Sequence, residues 1–142
     1  MAALARQGSQ NPSLRRLADE VCRWLAVAPH AICWDRFVRG AFRFRDESRE
    51  VVRTIDYTLN DYLARGVIEG DCDDVATFHA AGLLALGYPV RLVAIRTDSL
   101  LPDFLHVYVE GYIENVWRRF DPTVDEEIVD REIDYGRLVE VV

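Results

Sequence analysis

The residues best suited to chemistry are a cysteine, a histidine and an aspartate that follow one another in separate segments. Cys72 comes directly after Gly70 and Asp71 and begins a predicted helix. The free N–H groups and partial positive charge of a helix N-terminus favour a thiolate, so a nucleophilic cysteine is suited to this position. The aspartates at 71, 73 and 74 oppose this by charge repulsion, although they also suit the first turn of a helix.

A nucleophilic thiol needs a base, and the chain contains three histidines. His79 lies seven residues after Cys72 on the same predicted helix. That spacing is about 10 Å along the axis, out of hydrogen-bond reach. His106 lies in the strand candidate FLHVYVE and can approach the helix N-terminus only through the fold. A structural or surface role is predicted for His30, which has no acid or base at a useful spacing.

Asp121 is the candidate for orienting the imidazole of His106. If FLHVYVE and NVWRRFD form a hairpin centred between Ile113 and Glu114, Asp121 lies opposite His106. Opposite side chains of an antiparallel pair share a face with Cβ atoms about 5 Å apart, close enough for a carboxylate to hold an imidazole. Ile-Glu is a poor two-residue turn, so a longer loop and a shift of a residue or two are also open. The stated register pairs Tyr108 with Arg119, Glu110 with Trp117, and Val107 with Phe120.

Three segments of the chain resemble those of the transglutaminase-like superfamily. GDCDDVATFHAAGLLALGYPVRLVAI resembles the family's nucleophile segment, LHVYVE its histidine strand and VWRRFDPT its aspartate strand. The acidic DCDD form resembles bacterial and phage-encoded cysteine proteinases more than the animal crosslinking enzymes. The resemblance implies that Cys72 is the nucleophile, His106 the general base and then acid, and Asp121 the group that fixes the imidazole.

The same resemblance implies an oxyanion hole and, in some bacterial relatives, a calcium ion. One oxyanion donor would be the backbone N–H of Cys72, and Trp34 and Tyr57 are candidates for the second. In calcium-dependent relatives the carboxylates that flank the cysteine bind the ion, and these correspond to Asp71 and Asp73. Two carboxylates are too few to define a site, so no cofactor is expected.

The expected activity is hydrolysis of an amide or peptide bond through a thioester, with a peptide or protein as substrate. Transfer of the acyl group to an amine is a close alternative. A binding or assembly module that keeps the fold without turnover is the alternative from a different class, and an intact triad argues against it.

The elements that must position these residues form an α+β pattern, with helices first and a run of antiparallel strands afterwards. Residues 1–11 show no periodicity and are predicted to be a frayed leader. Apolar residues at helical spacing predict helices from Pro12 to Leu25 and over 29–44, whereas 51–65 could be a short helix or an extended segment. A strongly apolar helix is predicted over 72–86, ended by Gly87, and strands are predicted over 91–97, 104–111 and 115–120.

Length and composition set the remaining limits. The 142 residues fit one domain, for which the resemblance implies a papain-like or transglutaminase-like core, with the nucleophile helix packed on a small antiparallel sheet. The net charge of −7 argues against nucleic acid and anionic lipid as partners. No uncharged apolar run of the sequence is long enough to cross a membrane, and the first residues lack a secretory signal, which predicts a cytoplasmic protein. The other thiols, Cys22 and Cys33, form no CxxC pair; Cys22 is predicted to lie in the core, and Cys33 to have a structural or surface role.

Overall fold

Five helices and six strands are present in the computed structural model, which describes residues 1–25, 29–45, 52–96, 106–124 and 137–142. The predicted α+β class is confirmed. The helices are α1 (Ala2–Ser9), α2 (Pro12–Leu25), α3 (His30–Ala41), α4 (Ile55–Arg65) and α5 (Cys72–Ala85). The strands are β1 (Phe42–Phe44), β2 (Ile68–Gly70), β3 (Val90–Ile95), β4 (His106–Ile113), β5 (Val116–Phe120) and β6 (Arg137–Val141).

Helix α5 is the central element of the core. Every residue from 74 to 83 is buried, as expected for a helix that is apolar on all sides. At its start the Asp71 carboxylate accepts a hydrogen bond from the Asp74 N–H at 3.4 Å, which satisfies one of the free donors of the first turn. Just after its end Gly87 has φ +87, a conformation that favours glycine. Only the ends of α5 reach the surface, and Cys72 is partly exposed at the first of them.

The sheet brings the start of β4 to the start of α5. Four antiparallel strands pair in the order β5-β4-β3-β6, while β1 and β2 form a separate parallel pair. Near the other end of both elements, a Cβ built on Gly111 of β4 would lie 3.5 Å from Leu83 Cδ1 of α5. Helix α5 and strand β4 therefore run in the same direction, so Cys72 and His106 begin their elements at the same end of the core.

The β4–β5 hairpin differs from the predicted register. Its turn consists of Glu114 (φ +52) and Asn115 (φ +66), so both central residues are left-handed, as a type I′ turn requires. Ile113 consequently pairs with Val116. The prediction centred the hairpin one residue too early because Glu-Asn is an uncommon sequence for this turn.

The observed register changes which residues pair across β4 and β5 but leaves each side chain on the predicted face of the sheet. Val109 pairs with Phe120 and Glu110 pairs with Arg119, so the predicted pairs were wrong by two positions on the partner strand. Because side chains alternate with a period of two, a shift of two residues leaves each side chain on its predicted face. Asp121 becomes a diagonal neighbour of His106 instead of its direct partner.

The frayed leader predicted for residues 1–11 is wrong. Residues 2–9 form α1, which packs against α5 with Ala2, Ala5 and Gly8 buried. A Cβ on Gly8 would overlap the Ile55 side chain, so the absence of a side chain permits this close approach. Alanine and glycine carry little hydrophobic periodicity, which is why the sequence pattern of this helix was weak.

The region between α3 and α5 also differs from the sequence prediction. Helix α3 ends at Ala41, and β1 follows where a continuous helix was predicted. The open alternative for 51–65 is settled as a helix from Ile55, capped by Thr54 at one end and by Gly66 (φ +72) at the other. Strands β2 and β6 were not predicted, and positions 97, 104 and 105 of the predicted strands lie outside the described residues. None of the helices in the described ranges is long and apolar enough to cross a membrane.

Candidate active site

Cys72, His106 and Asp121 come together where α5 and β4 begin. The His106 Nε2–H donates a hydrogen bond to Asp121 Oδ2 at 2.6 Å. The Cys72 side chain lies close enough to this imidazole to influence its pKa. Because Asp121 occupies Nε2, Nδ1 is the ring nitrogen left for the thiol. The sulfur and the carboxylate are therefore both neighbours of one imidazole, and the hydrogen bond to Asp121 fixes the ring.

The Asp121 carboxylate is buried and fully bonded. Its side chain is 1% exposed. Oδ1 accepts hydrogen bonds from the Thr123 N–H at 3.2 Å and the Thr123 hydroxyl at 2.6 Å, and Oδ2 also accepts one from Arg119 at 2.7 Å. Burial acts to raise the pKa of Asp121, but His106, Arg119 and Thr123 outweigh it and lower the pKa to about 2. The carboxylate is therefore ionised throughout the physiological range.

The imidazole of His106 is held in its charged form. Burial acts to lower its pKa, but the hydrogen bonds to Asp121 and Cys72, with the charges of both groups, raise the pKa to about 9. At neutral pH the ring is an imidazolium that can stabilise a thiolate at Cys72 and can donate a proton. The His106 side chain is 13% exposed and Cys72 is partly exposed, so the thiol is the part of the site that solvent reaches.

A second group of polar side chains lies close to Asp121 in the core. Arg39 of α3 donates to Asp35 Oδ2 at 2.8 Å and to the Val124 carbonyl at 3.1 Å, which ties α3 to the segment that follows Asp121. His79 is completely buried, with Nε2 3.8 Å from Asp35 Oδ1, and within the described chain neither ring nitrogen has a hydrogen-bond partner. Burial, followed by the charge of Arg39, lowers the pKa of His79 to about 3, so this ring is neutral.

Two contacts of Asp121 were missed by the sequence reasoning. Thr123 was only the last residue of the segment VWRRFDPT, and Arg119 was placed beside Tyr108 without a functional role. The signal for Arg119 was available, since a residue two positions before Asp121 on a strand faces the same side. The signal for Thr123 was the tendency of an aspartate carboxylate to bond the backbone two residues later.

The two residues predicted as possible second oxyanion donors, Trp34 and Tyr57, lie in different environments. Trp34 is completely buried, and its indole N–H donates to the His79 carbonyl at 3.1 Å. It cannot donate to a substrate oxygen, so this prediction is wrong. Tyr57 lies on α4 and is 57% exposed, with the Arg53 guanidinium 5.4 Å from its ring centroid. Its role as a donor stays a prediction.

The predicted calcium residues lie in a cluster of three carboxylates. One oxygen each of Asp71, Asp73 and Asp74 lies within 4.8 Å of the others. Burial and a hydrogen bond to Asp71 raise the pKa of Asp73 to about 7. Asp74 is already ion-paired, with Oδ2 3.5 Å from Arg53 Nε. Calcium takes about six to eight oxygen ligands, so these groups alone do not fit the ion, and the calcium site that the resemblance implies at Asp71 and Asp73 stays untested.

The remaining cysteines lie in the core, away from the protein surface. Cys22 is 4% exposed and its thiol donates to the His30 carbonyl at 3.5 Å, and Cys33 is completely buried. Burial raises the pKa of Cys22 to about 11. Cys72 is therefore the most accessible of the three thiols.

The amino-acid sequence matches the model of the transglutaminase-like superfamily over residues 16–122. Two crystal structures share the fold at low sequence identity. A proposed cysteine protease from Cytophaga hutchinsonii is 18% identical with a TM-score of 0.64, and the alignment covers 91% of this chain and 45% of that one. A proposed protease from Parabacteroides distasonis is 16% identical with a TM-score of 0.62, over 84% of this chain and 26% of that one. No curated protein matches the sequence.

These matches extend well beyond the segments that carried the resemblance. The family model includes most of α2, all of α3 and α4, and the segments around Cys72, His106 and Asp121. The chain spans less than half the length of the first structure and about a quarter of the second. At such identities the two structures show a shared fold.

Proposed function

The chain belongs to the transglutaminase-like superfamily, and from this premise we propose that it is a cysteine-dependent enzyme that hydrolyses an amide or peptide bond. The observation that carries the proposal is the hydrogen bond between His106 and Asp121, with the partly exposed Cys72 thiol next to the same imidazole. A buried structural histidine would not need a partly exposed thiol on one side and a buried carboxylate on the other. A thiol, an imidazole and a carboxylate in this order are the parts of a nucleophilic triad.

In the first half of the proposed reaction, the Cys72 thiolate attacks the substrate carbonyl carbon and a C–S bond forms. The resulting oxyanion is stabilised by the Cys72 backbone N–H at the start of α5. The His106 imidazolium donates its Nδ1 proton to the departing nitrogen, and the C–N bond breaks to leave a thioester and a free amine.

In the second half, neutral His106 takes a proton from water and the hydroxide attacks the thioester. The C–S bond breaks, the acid product leaves, and Cys72 and His106 return to the thiolate–imidazolium pair. Asp121 keeps its negative charge throughout and holds Nε2, so that Nδ1 stays directed toward the sulfur.

The first test compares the three thiols in the folded protein. Iodoacetamide at neutral pH is expected to modify Cys72 fastest, as followed by mass spectrometry, because Cys22 and Cys33 are buried. His106→Ala should slow the reaction at Cys72 by roughly 10²-fold or more, the range of a lost acid–base partner. His30→Ala, which alters an exposed histidine, is the matched control. Equal reactivity of the three thiols would argue strongly against catalysis.

The second test asks whether the thiol turns over. Incubation with a mixture of peptides should add an acyl group to Cys72 that mass spectrometry detects and that disappears on standing in water. An added primary amine separates the two acyl-transfer reactions, because a transferase would yield the amide and a hydrolase the free acid. A reactive Cys72 that never acquires an acyl group would favour a binding module.

A further inference from the structure

One oxygen of Asp121 is shared by two cations. Oδ2 accepts the His106 Nε2–H at 2.6 Å and the Arg119 Nη2–H at 2.7 Å. The second oxygen, Oδ1, is occupied by the backbone and hydroxyl of Thr123. Arg119 therefore bonds the same atom that orients the imidazole.

Arg119 is held in this position from a second side. Its guanidinium lies 4.0 Å from the ring centroid of Tyr108, a cation–π contact, and its side chain is only 16% exposed. Tyr108 is itself 6% exposed. A planar guanidinium that is stacked on one face and bonded at its edge has little freedom to move away from the carboxylate.

We infer that Arg119 is a positioning residue of the site, which shares Asp121 Oδ2 with His106 and thereby sets how strongly the carboxylate holds the imidazolium proton. The catalytic meaning of this inference rests on the proposed function. The effect of Arg119 on the protonation of His106 can be measured without turnover.

The consequence for the proton follows from the charges around the imidazole. Asp121 and Arg119 at the end of β5, Cys72 of α5 and Tyr108 of the same strand are the neighbours of His106. In the core, the neutral His79 and the buried Asp35 both interact electrostatically with Asp121. Arg119 withdraws part of the negative charge and adds a positive one nearby, and both effects loosen the proton on His106. A proton held too tightly would not be given to a leaving amine.

The experiment is an NMR titration of the His106 ring in the full chain. Arg119→Gln keeps a donor for Oδ2 but removes the charge, and we expect it to raise the pKa of His106 by roughly half a unit or more. Arg119→Lys keeps the charge and should leave that pKa within roughly 0.2 units of wild type. If Arg119 only held the segment in place, the Gln variant would loosen Asp121 and the pKa would stay constant or fall, which would overturn the inference.

A matched control lies on the same sheet. Arg91 also stacks on an aromatic ring, 4.3 Å from the Trp117 centroid, and bonds a carboxylate, Glu110, at 2.6 Å. Arg91→Gln should leave the titration of His106 unchanged, and a shift equal to that of Arg119→Gln would contradict the inference. If Arg119→Gln does not fold, Tyr108→Leu loosens the guanidinium and should produce a smaller rise in the same direction.

The rate of turnover separates this inference from the proposed function. With an active protein, the alkaline limb of the kcat/KM profile should move to higher pH in the Gln variant, together with the titration. A shifted titration in a protein whose Cys72 never acquires an acyl group would reject the proposed function and keep the role of Arg119. If Cys72 acquired an acyl group but the His106 titration did not shift in Arg119→Gln, the proposed function would stand and the role of Arg119 would be rejected.

Discussion

At the scale of single residues, the site is defined by which charge each buried group carries. Asp121 has four hydrogen-bond donors around a carboxylate that is almost inaccessible to solvent, so its negative charge is stable in the core. That charge is the main reason why His106 keeps its proton to about pH 9. His79, completely buried and without a hydrogen bond to a carboxylate in the described part of the chain, is neutral instead.

This difference predicts the outcome of Asp121→Asn. The amide keeps the shape of the carboxylate but loses its charge, so the pKa of His106 should fall from about 9 toward its ordinary value. Modification of Cys72 by iodoacetamide at pH 7 should slow by roughly 10²-fold or more, because the imidazolium that stabilises the thiolate is lost. NMR titration and mass spectrometry follow the two effects.

Asp19→Asn on α2 is the control for this experiment, since Asp19 is exposed. It should change neither the titration of His106 nor the reactivity of Cys72. If Asp121→Asn left both quantities unchanged while circular dichroism showed a folded protein, Asp121 would have no orienting role.

At the scale of elements, the position of Cys72 depends on how closely other helices approach α5. Trp34 of α3 lies against Gly82, donates its indole N–H to the His79 carbonyl, and stacks with Phe78 at 5.7 Å between ring centroids. A Cβ on Gly82 would overlap the Trp34 ring. The absence of a side chain at this position therefore sets the distance between α3 and α5.

Gly82→Ala is consequently expected to destabilise the fold. The added methyl group must displace a completely buried indole, and such overpacking costs typically about 1–3 kcal/mol of unfolding free energy. Gly40 of α3 offers the matched control, because a Cβ there would meet no atom within 4 Å. Gly40→Ala should be neutral or stabilising by roughly 0.4–1 kcal/mol, since it restricts the unfolded chain.

Urea denaturation followed by circular dichroism measures both variants. The expected order of midpoints is Gly40→Ala at or above wild type and Gly82→Ala clearly below it. Equal midpoints for the two variants would show that α3 can move away from α5 at little cost, which would contradict the close packing described for Trp34.

At the scale of the whole molecule, the two perturbed histidines make stability depend on pH in opposite directions. His79 has a folded pKa of about 3, so the unfolded chain binds more protons below pH 6.5 and stability falls as the pH decreases toward 3. His106 has a folded pKa of about 9, so its contribution is complete below pH 6.5 and is lost as the pH rises through 9. From the two histidines alone, stability should be greatest near pH 6.5, whereas the raised pKa of Asp73 opposes the effect of His79 between about pH 4 and pH 7.

Thermal or urea unfolding from pH 4 to pH 9.5 checks this dependence. At pH 5, a pKa lowered from 6.5 to about 3 corresponds to a loss of about 2 kcal/mol relative to pH 7. His79→Gln should flatten the acid limb and leave the alkaline limb, whereas His106→Ala should do the opposite. If stability still fell equally steeply toward acid pH in His79→Gln, groups other than His79 would be responsible for that fall. The pKa of Asp121 is lowered from 3.8 to about 2, so its contribution to stability is complete above about pH 4 and is lost only at lower pH.

The features that the sequence determined are those with a local cause. The α+β order, the apolar helix from residue 72 and its end near Gly87 follow from periodicity and from residues that favour helix termini. The transglutaminase-like family, now confirmed, was recognisable because Cys72, His106 and Asp121 lie in three short segments in a fixed order. Their placement on shared faces survived a wrong register because faces depend only on the two-residue period of a strand.

The features that only the tertiary structure decided depend on groups distant in the chain. The docking of α1 on α5 relies on small residues that give no periodic signal, and the parallel pairing of β1 with β2 joins segments of three residues each. The hairpin register was fixed by two left-handed residues, Glu114 and Asn115, that the sequence does not mark as a turn. The sharing of Asp121 Oδ2 was equally undetermined, because it requires distances that strand pairing and side-chain packing set together and that no local pattern encodes.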